Sequence, residues 1–397
     1  MMYLNIPEDV LESQNAVWTA REISQQPETW QETAHLLAKV RPALDGFLKP
    51  LLDDPRLRII LTGAGTSAFI GECLEPVLAS RLGRRVDAIA TTDLVSGPGD
   101  YFQADIPTLL VSFGRSGSSP ESMAAVSLAD ECVERTYHLV VTCNTSGELY
   151  TLCQKRANCF AIALPERTHD RSFAMTSSFS CMMLAALGTF LPQFTTEANI
   201  AALATAGSAV LEHFGGELQK IADINFERVV YLGSKGLKGL AREASLKLLE
   251  LTDGKTVTTF DSPLGFRHGP KTIINRETLV IMFVSNDPYT RQYDLDLLDE
   301  LRADGEVGRV IAIVAQACPR VMAGDYMLVE GLPDANDTLL LFPYILFAQV
   351  YAFYHALCLG NAPDSPSASG TVNRVVKGVT IHDHSGKAKG RAVSEVG

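Results

Sequence analysis

Six short apolar runs recur in this chain as two sets of three, and the distances within the two sets nearly match. RIILTGAGTS starts at Arg58, TLLVSFGRSGSS at Thr108 and YHLVVTCNTSG at Tyr137; RVVYLGSKGL, TLVIMFVSND and RVIAIVAQAC start at Arg228, Thr278 and Arg309. Each run is rich in β-branched or large apolar residues and stops at small, turn-forming ones, with helical patterns such as SMAAVSLADECVE between them. Strands alternating with helices in this way build a parallel sheet through right-handed crossovers. An offset of about 170 residues between the sets predicts one α/β unit used twice. The boundary then falls near 200–215, with a linker helix through ANIAALATAGSAVLEHF. The first 50 residues read as helical, and the tail beyond Asn361 as irregular with one short extended piece, VVKGVTIH.

A length of 397 residues with 46% hydrophobic content is enough for two cores. The net charge of −12 argues against a nucleic-acid partner, because phosphate-backbone binding draws on clustered Lys and Arg. No window approaches 18 continuous apolar residues free of charge, and the opening MMYLNIPEDVLESQNAVW lacks the basic-then-apolar order of a signal peptide. The expectation is a cytoplasmic protein with no membrane partner. Eight cysteines without a CxxC pair, mostly in apolar runs, read as reduced core thiols.

In open parallel sheets ligands bind at the carboxyl ends of the strands, where the small-residue turns of this chain would lie. GAGTS at 63–67 and GRSGSS at 114–119 each follow a strand and precede a helix. Small residues there let the first helical N–H groups face an anion, and hydroxyls add donors. Ser67, Ser116 and Ser119 could all address one phosphate, with Arg115 adding charge or pointing to solvent. Neither loop has the GxxxxGK[ST] or GxGxxG form, which weighs against ATP and NAD. The blander account is glycines for tight turns and serines as helix caps. A third cluster, AMTSSFS at 174–180, opens an apolar helix and reads first as a cap near the same crevice.

The second half supplies acid and base candidates. LAREASLKLLELTDG at 240–254 reads as a helix on which Glu243, Lys247 and Glu250 share one face. They form either an exposed ion-paired stripe or a site in which Glu250 takes a proton from substrate carbon while Lys247 holds the pocket together or contacts sugar hydroxyls. His268, in the loop SPLGFRHGP at 262–270, is either inert or a two-way proton carrier suited to opening a sugar ring.

Together the double α/β unit, the loops GTS and RSGSS, the run EASLKLLE, the HGP loop and the tail SGTVNRVVKGVT resemble the SIS (sugar isomerase) proteins over roughly residues 55–380. AMTSSF and the tail are most similar to the tagatose-6-phosphate ketose/aldose isomerase branch, described as galactosamine-6-phosphate deaminase/isomerase. TAREISQQPETW resembles the helix before the isomerase half of glucosamine-6-phosphate synthase. The resemblance implies two tandem SIS domains, each a parallel-sheet three-layer α/β sandwich. They would span 51–210 and 211–360, after N-terminal helices over 1–50 and before a site-closing tail over 361–397.

By the same resemblance, Thr66 and Ser67 match the first sugar-phosphate loop, and Ser116 and Ser119 the main phosphate-loop hydroxyls. Glu250 matches the catalytic glutamate, with Lys247 one turn before it. His268 matches a ring-opening histidine that reaches the site from a neighbouring subunit, and Lys377 a lysine that closes over the sugar. Arg115 and Ser118 depart from the synthase pattern, so the phosphate geometry is not carried over with them. With no nucleophilic cysteine near residue 1, the expectation is a protein without the glutamine-hydrolysing domain, which turns the expected reaction from making an amino sugar phosphate to deaminating one. The expected substrate is D-galactosamine 6-phosphate and the products tagatose 6-phosphate and ammonium. No cofactor or metal is required, and the scattered histidines, including the His382 and His384 pair, have no zinc spacing. A homodimer or higher homo-oligomer with a shared site is implied. The alternatives are an isomerase of sugar phosphates without an amine, a sugar-phosphate-binding regulator without catalysis, and a structural α/β protein.

Overall fold

The computed structural model describes residues 1–367, 369–370, 372–376 and 378–384. A two-stranded antiparallel ribbon, β1 (Met2–Tyr3) and β2 (Ile6–Pro7), opens the chain. Helices Glu8–Ser13, Val17–Ser24 and Gln26–Leu52 follow, so the N-terminal segment is helical after a short strand pair.

Two five-stranded, wholly parallel sheets then form in sequence. The first contains β3 (Arg58–Thr62), β4 (Val86–Ala88), β5 (Thr108–Gly114), β6 (Thr136–Thr142) and β7 (Cys159–Ala163), in the order β4-β3-β5-β6-β7. The second contains β8 (Arg228–Gly233), β9 (Val257–Asp261), β10 (Thr278–Phe283), β11 (Arg309–Val314) and β12 (Tyr326–Leu328), in the order β12-β11-β10-β8-β9. Matching β3 to β8, β4 to β9 and onward gives one strand order built twice. All six runs picked out by their apolar residues are strands. The four not foreseen, β4, β7, β9 and β12, are short strands at the sheet edges with part-exposed residues.

Helices cover both faces of each sheet, which explains why the central strands are apolar at every position rather than alternating. In β3, Ile59 and Leu61 face the large central core while Ile60 faces a separate outer cluster; in β8, Val229 and Tyr231 face inward while Val230 and Leu232 face outward. Between the sheets runs the helix Asp337–Cys358, whose apolar window is fully buried. This helix is long and apolar enough to cross a membrane, but it is interrupted by Gln349 and His355, and both side chains find partners inside the protein. Gln349 accepts from Gln26 at 2.6 Å, and the His355 ring pairs with Thr256 at 2.8 Å.

One expectation is corrected. Cys153 and Cys159, six residues apart at the end of a helix and the start of β7, are joined as a disulfide rather than both reduced. The tail piece around VVKGVTIH forms no strand among the described residues.

The two units meet where helix Gly236–Leu251 of the second crosses helix Thr66–Leu82 of the first. A Cβ on Gly239 would lie 2.7 Å from the backbone of both Glu72 and Cys73, so only glycine permits this crossing. By contrast Gly46, exposed in Gln26–Leu52, has nothing within 4 Å of a built Cβ. Gly239→Ala therefore destabilises the protein by about 1–3 kcal/mol in urea unfolding, whereas Gly46→Ala stabilises it by about 0.5–1 kcal/mol. Equal effects at the two sites would contradict the close crossing.

Candidate active site

β3 ends in a turn that glycine makes possible. A Cβ on Gly63 would sit 2.5 Å from the Ser67 Cβ, and Gly65 takes φ 54° and ψ −128°. Thr66 and Ser67 then open the helix, both buried. The same turn recurs after β8, where Lys235 holds the same φ 54° and ψ −128° before helix Gly236–Leu251.

Glu243, Lys247 and Glu250 lie on the face of that second helix that packs onto the first. They are not an exposed stripe: Glu243 and Lys247 have fully buried side chains, and the Glu250 side chain keeps 24% of its surface exposed. Lys247 Nζ donates to Thr66 Oγ1 at 2.9 Å, lies 3.5 Å from Glu243 Oε1, and ion-pairs with Glu250 Oε2. Thr66 in turn donates to Glu243 Oε1 at 3.3 Å. Burial acts to pull the Lys247 ammonium down, but the charges of Glu243 and Glu250 outweigh it, and Lys247 holds its proton more tightly than usual. Burial pushes the Glu243 carboxyl up to about 8, with Glu250 adding to the push and Lys247 opposing it. Glu243 Oε2 has no hydrogen-bond partner, which suits an uncharged acid better than a carboxylate. The arrangement is an ammonium paired with the part-exposed Glu250 side chain, a candidate general base held on a fixed mount.

The serine loops divide between binding and scaffolding. Ser119 caps helix Pro120–Cys132, its Oγ accepting from Ser122 N at 3.3 Å, and Ser118 Oγ accepts from Glu148 N at 3.1 Å, tying the loop to the next helix. Ser116 Oγ takes only a long bond from Ser118 N, at 3.4 Å. Arg115 neither reaches into solvent nor stands free. Its Nη1 donates to the carbonyls of Ser172 and Phe173 at 3.2 and 3.1 Å, and its Nη2 to that of Arg374 at 2.9 Å, so it clamps loop and tail together. AMTSSFS is held by a residue the sequence did not mark. Asp170 accepts from Thr176 N and Ser178 N, both at 2.8 Å, and from the hydroxyls of Ser177 and Ser178, so the cluster faces its own support. Met175 nonetheless reaches the first loop, its Sδ 3.9 Å from Ser67 Oγ.

His268 lies between the short helix Pro263–Phe266 and a 3-10 turn at Pro270–Ile273, rather than in an open loop. Its ring is exposed and makes no hydrogen bond or ion pair to the Glu250 cluster. Lys377 lies outside the described residues.

No family model matches the chain. The D-galactosamine-6-phosphate deaminase AgaS of Escherichia coli is 50% identical over 366 residues, 92% of this chain and 95% of that protein. The chain belongs to the AgaS branch of the SIS family. A solved Escherichia coli structure described as tagatose-6-phosphate ketose/aldose isomerase superposes with a TM-score of 0.88 at 46% identity, covering 93% of this chain and 97% of that one. The C-terminal domain of glucosamine-fructose-6-phosphate aminotransferase from Francisella tularensis shares the fold, with a TM-score of 0.71 at 18% identity over 88% of this chain and 98% of that one.

Within this AgaS-type chain the residues missed from sequence are those acting through backbone: Asp170, Arg374 and Glu22. Glu22 accepts from Arg171 N and Ser172 N and from the Ser172 hydroxyl. Burial, helped by the nearby Asp170 charge, pushes its carboxyl up to about 8. No local motif announces such contacts, because the partners are about 150 residues apart in sequence.

Glu22 and Glu243 both bind their proton more tightly folded than unfolded, where the ordinary value is 4.5. Their contribution to stability is full below about 4.5 and is lost as pH rises toward about 8. Urea midpoints across that window should fall with pH, and Glu243→Gln should roughly halve the slope. An unchanged slope would show that Glu243 is ionised throughout.

Proposed function

We propose that this chain deaminates and isomerises an amino sugar phosphate, D-galactosamine 6-phosphate, to tagatose 6-phosphate and ammonium. Supporting this reading is the buried mount of Glu250, which joins a part-exposed carboxylate to the first serine loop through Lys247 and Thr66. The names of its relatives, one a deaminase and one a ketose/aldose isomerase, describe two outcomes of the same proton transfer.

The phosphate docks on the loops carrying Ser67, Ser116 and Ser119, at the carboxyl ends of β3 and β5, where helix N-termini supply N–H donors. His268, contributed by a neighbouring subunit, opens the ring to the aldehyde. Glu250 removes the proton from C2, the electron pair forms the C1–C2 double bond, and the carbonyl oxygen at C1 becomes a hydroxyl. Return of a proton to C1 leaves an imine at C2. Water adds to that imine and ammonia leaves, so the sequence consumes one water and needs no oxidant. Lys247 orients Glu250 through their ion pair, and Lys377 closes over the sugar. A phosphosugar without an amine follows the same path to a ketose with nothing to release, which is why isomerase and deaminase share one site.

Ammonium release from galactosamine 6-phosphate, read against glucosamine 6-phosphate, tests the substrate. Glu250→Gln should lower kcat about 10²–10⁴-fold while sugar phosphate still binds. Mixing inactive His268→Ala and Glu250→Gln chains should restore part of the activity in hetero-oligomers. No restoration would place His268 within its own subunit or outside the reaction.

A further inference from the structure

A cavity of about 820 Å³ lies outside the cluster just described, between the N-terminal helix Val17–Ser24 and the 165–171 segment, with Arg374 of the tail on its wall. Four arginines line it: Arg21, Arg167, Arg171 and Arg374. Arg167 is neutralised by Glu28 and Glu32, at 2.7 and 3.2 Å. Among the described residues, none of the other three has a carboxylate within ion-pair distance, in a chain whose net charge is −12. Arg171 is held in place without spending its donors, because its guanidinium lies 4.4 Å over the Trp18 ring, with Arg21 at 5.6 Å from the same ring. Glu22 on the wall offsets less of this charge than an ordinary carboxylate, because burial and the nearby Asp170 charge push its carboxyl up to about 8. The neighbouring His169 registers the local field: its affinity for a proton is lowered by burial first and by Arg374, Arg115 and Arg171 after it. Guanidinium donors fixed in direction and lacking a carboxylate are the chemistry of phosphate recognition. Glu166 and the side-chain oxygen of Gln25, whose amide nitrogen is engaged by Arg167 O and Ser177, add acceptors suited to hydroxyl groups.

We propose that this cavity is a second ligand site, separate from the serine loops, that binds a phosphorylated sugar or polyol with its phosphate on Arg21, Arg171 and Arg374. The site also has a route to the first one. Arg374 Nε donates to the carbonyls of Asp170 and Ser172 at 3.1 and 3.2 Å, and its own carbonyl takes the bond from Arg115 in the phosphate loop. A ligand on the Arg374 guanidinium therefore bears on the segment 372–376 that Arg115 clamps. None of this rests on the deaminase reading, and ammonium release is measured independently of it.

Sorbitol 6-phosphate, which has no carbonyl and cannot react, is the probe. Equilibrium dialysis with the full chain should find two molecules per chain, and only one when Arg21 and Arg171 are both changed to Ala, with the second site weakened about tenfold or more. Trp18 and Trp30 are the two tryptophans and Trp30 is fully buried, so the probe should change Trp18 fluorescence, and Trp18→Phe should abolish the change. The double Lys variant at 21 and 171 should keep part of the binding, which separates loss of charge from misfolding. Probe binding that is unchanged when Arg21 and Arg171 are both Ala, or a Trp18 signal that does not move, overturns the proposal, whatever the serine loops bind. Inorganic phosphate binding as tightly as the sugar phosphate overturns the assignment to a sugar.

Discussion

Lys247 carries a charge on a fully buried side chain, and much of the structure can be understood as what that charge requires. An unpaired buried ammonium would cost several kcal/mol or more, so it must meet oxygen on every available side. Glu250 and Glu243 come from its own helix, one turn to either side, but Thr66 comes from the other α/β unit. The hydrogen bond forms only when the two helices cross closely enough, and Gly239 against Cys73 sets that approach. One buried cation thus fixes the docking of the two units and the position of the carboxylate at their seam. The Glu250 oxygen that faces outward inherits that rigidity, which is what preorganised catalysis asks of a base.

The repeat shows why only one of the two units presents a serine cradle. Gly65 and Lys235 hold identical backbone angles, and the helices that follow open with Thr66-Ser67 in one copy and Gly236-Leu237 in the other. Leu237 is fully buried in the core, where the first copy has a hydroxyl. The loop after β10 is filled from within. Asp337 accepts from Asn286 N at 2.7 Å and from the Ser285 hydroxyl at 2.6 Å, while Asp294 accepts from Ser285 N at 2.9 Å. Two carboxylates of the chain itself occupy the donors that a phosphate would use. The second copy has become a platform for Glu243, Lys247 and Glu250, and the first keeps donors for an anion.

What could be read from the sequence follows from what each feature costs to change. A central strand buried on both faces must be apolar throughout, so the six runs and their order were visible. The spacing of Glu243, Lys247 and Glu250 was visible too, although burial was not, because an exposed stripe and a buried charge cluster have the same periodicity. Edge strands such as Val86–Ala88 escaped because half of their surface is free to be polar. Arg115 was legible as a charge near the phosphate loop but not as a clamp, since its acceptors are main-chain carbonyls that any sequence supplies. The apolar helix Asp337–Cys358 hid its role for a different reason: hydropathy is blind to whether lipid or protein surrounds a helix, and only the partners of Gln349 and His355 decide it.

The central claim is that the anion held by the first unit and the carboxylate mounted on the second belong to one site. A crystal structure of the protein with an unreactive sugar phosphate bound tests this directly. The phosphate should contact the 67 and 116–119 loops, and the sugar carbon to be deprotonated should lie about 3–3.5 Å from a Glu250 oxygen. Absence of the sugar phosphate from those loops, with its reacting carbon remote from Glu250 at every site it occupies, would contradict the account.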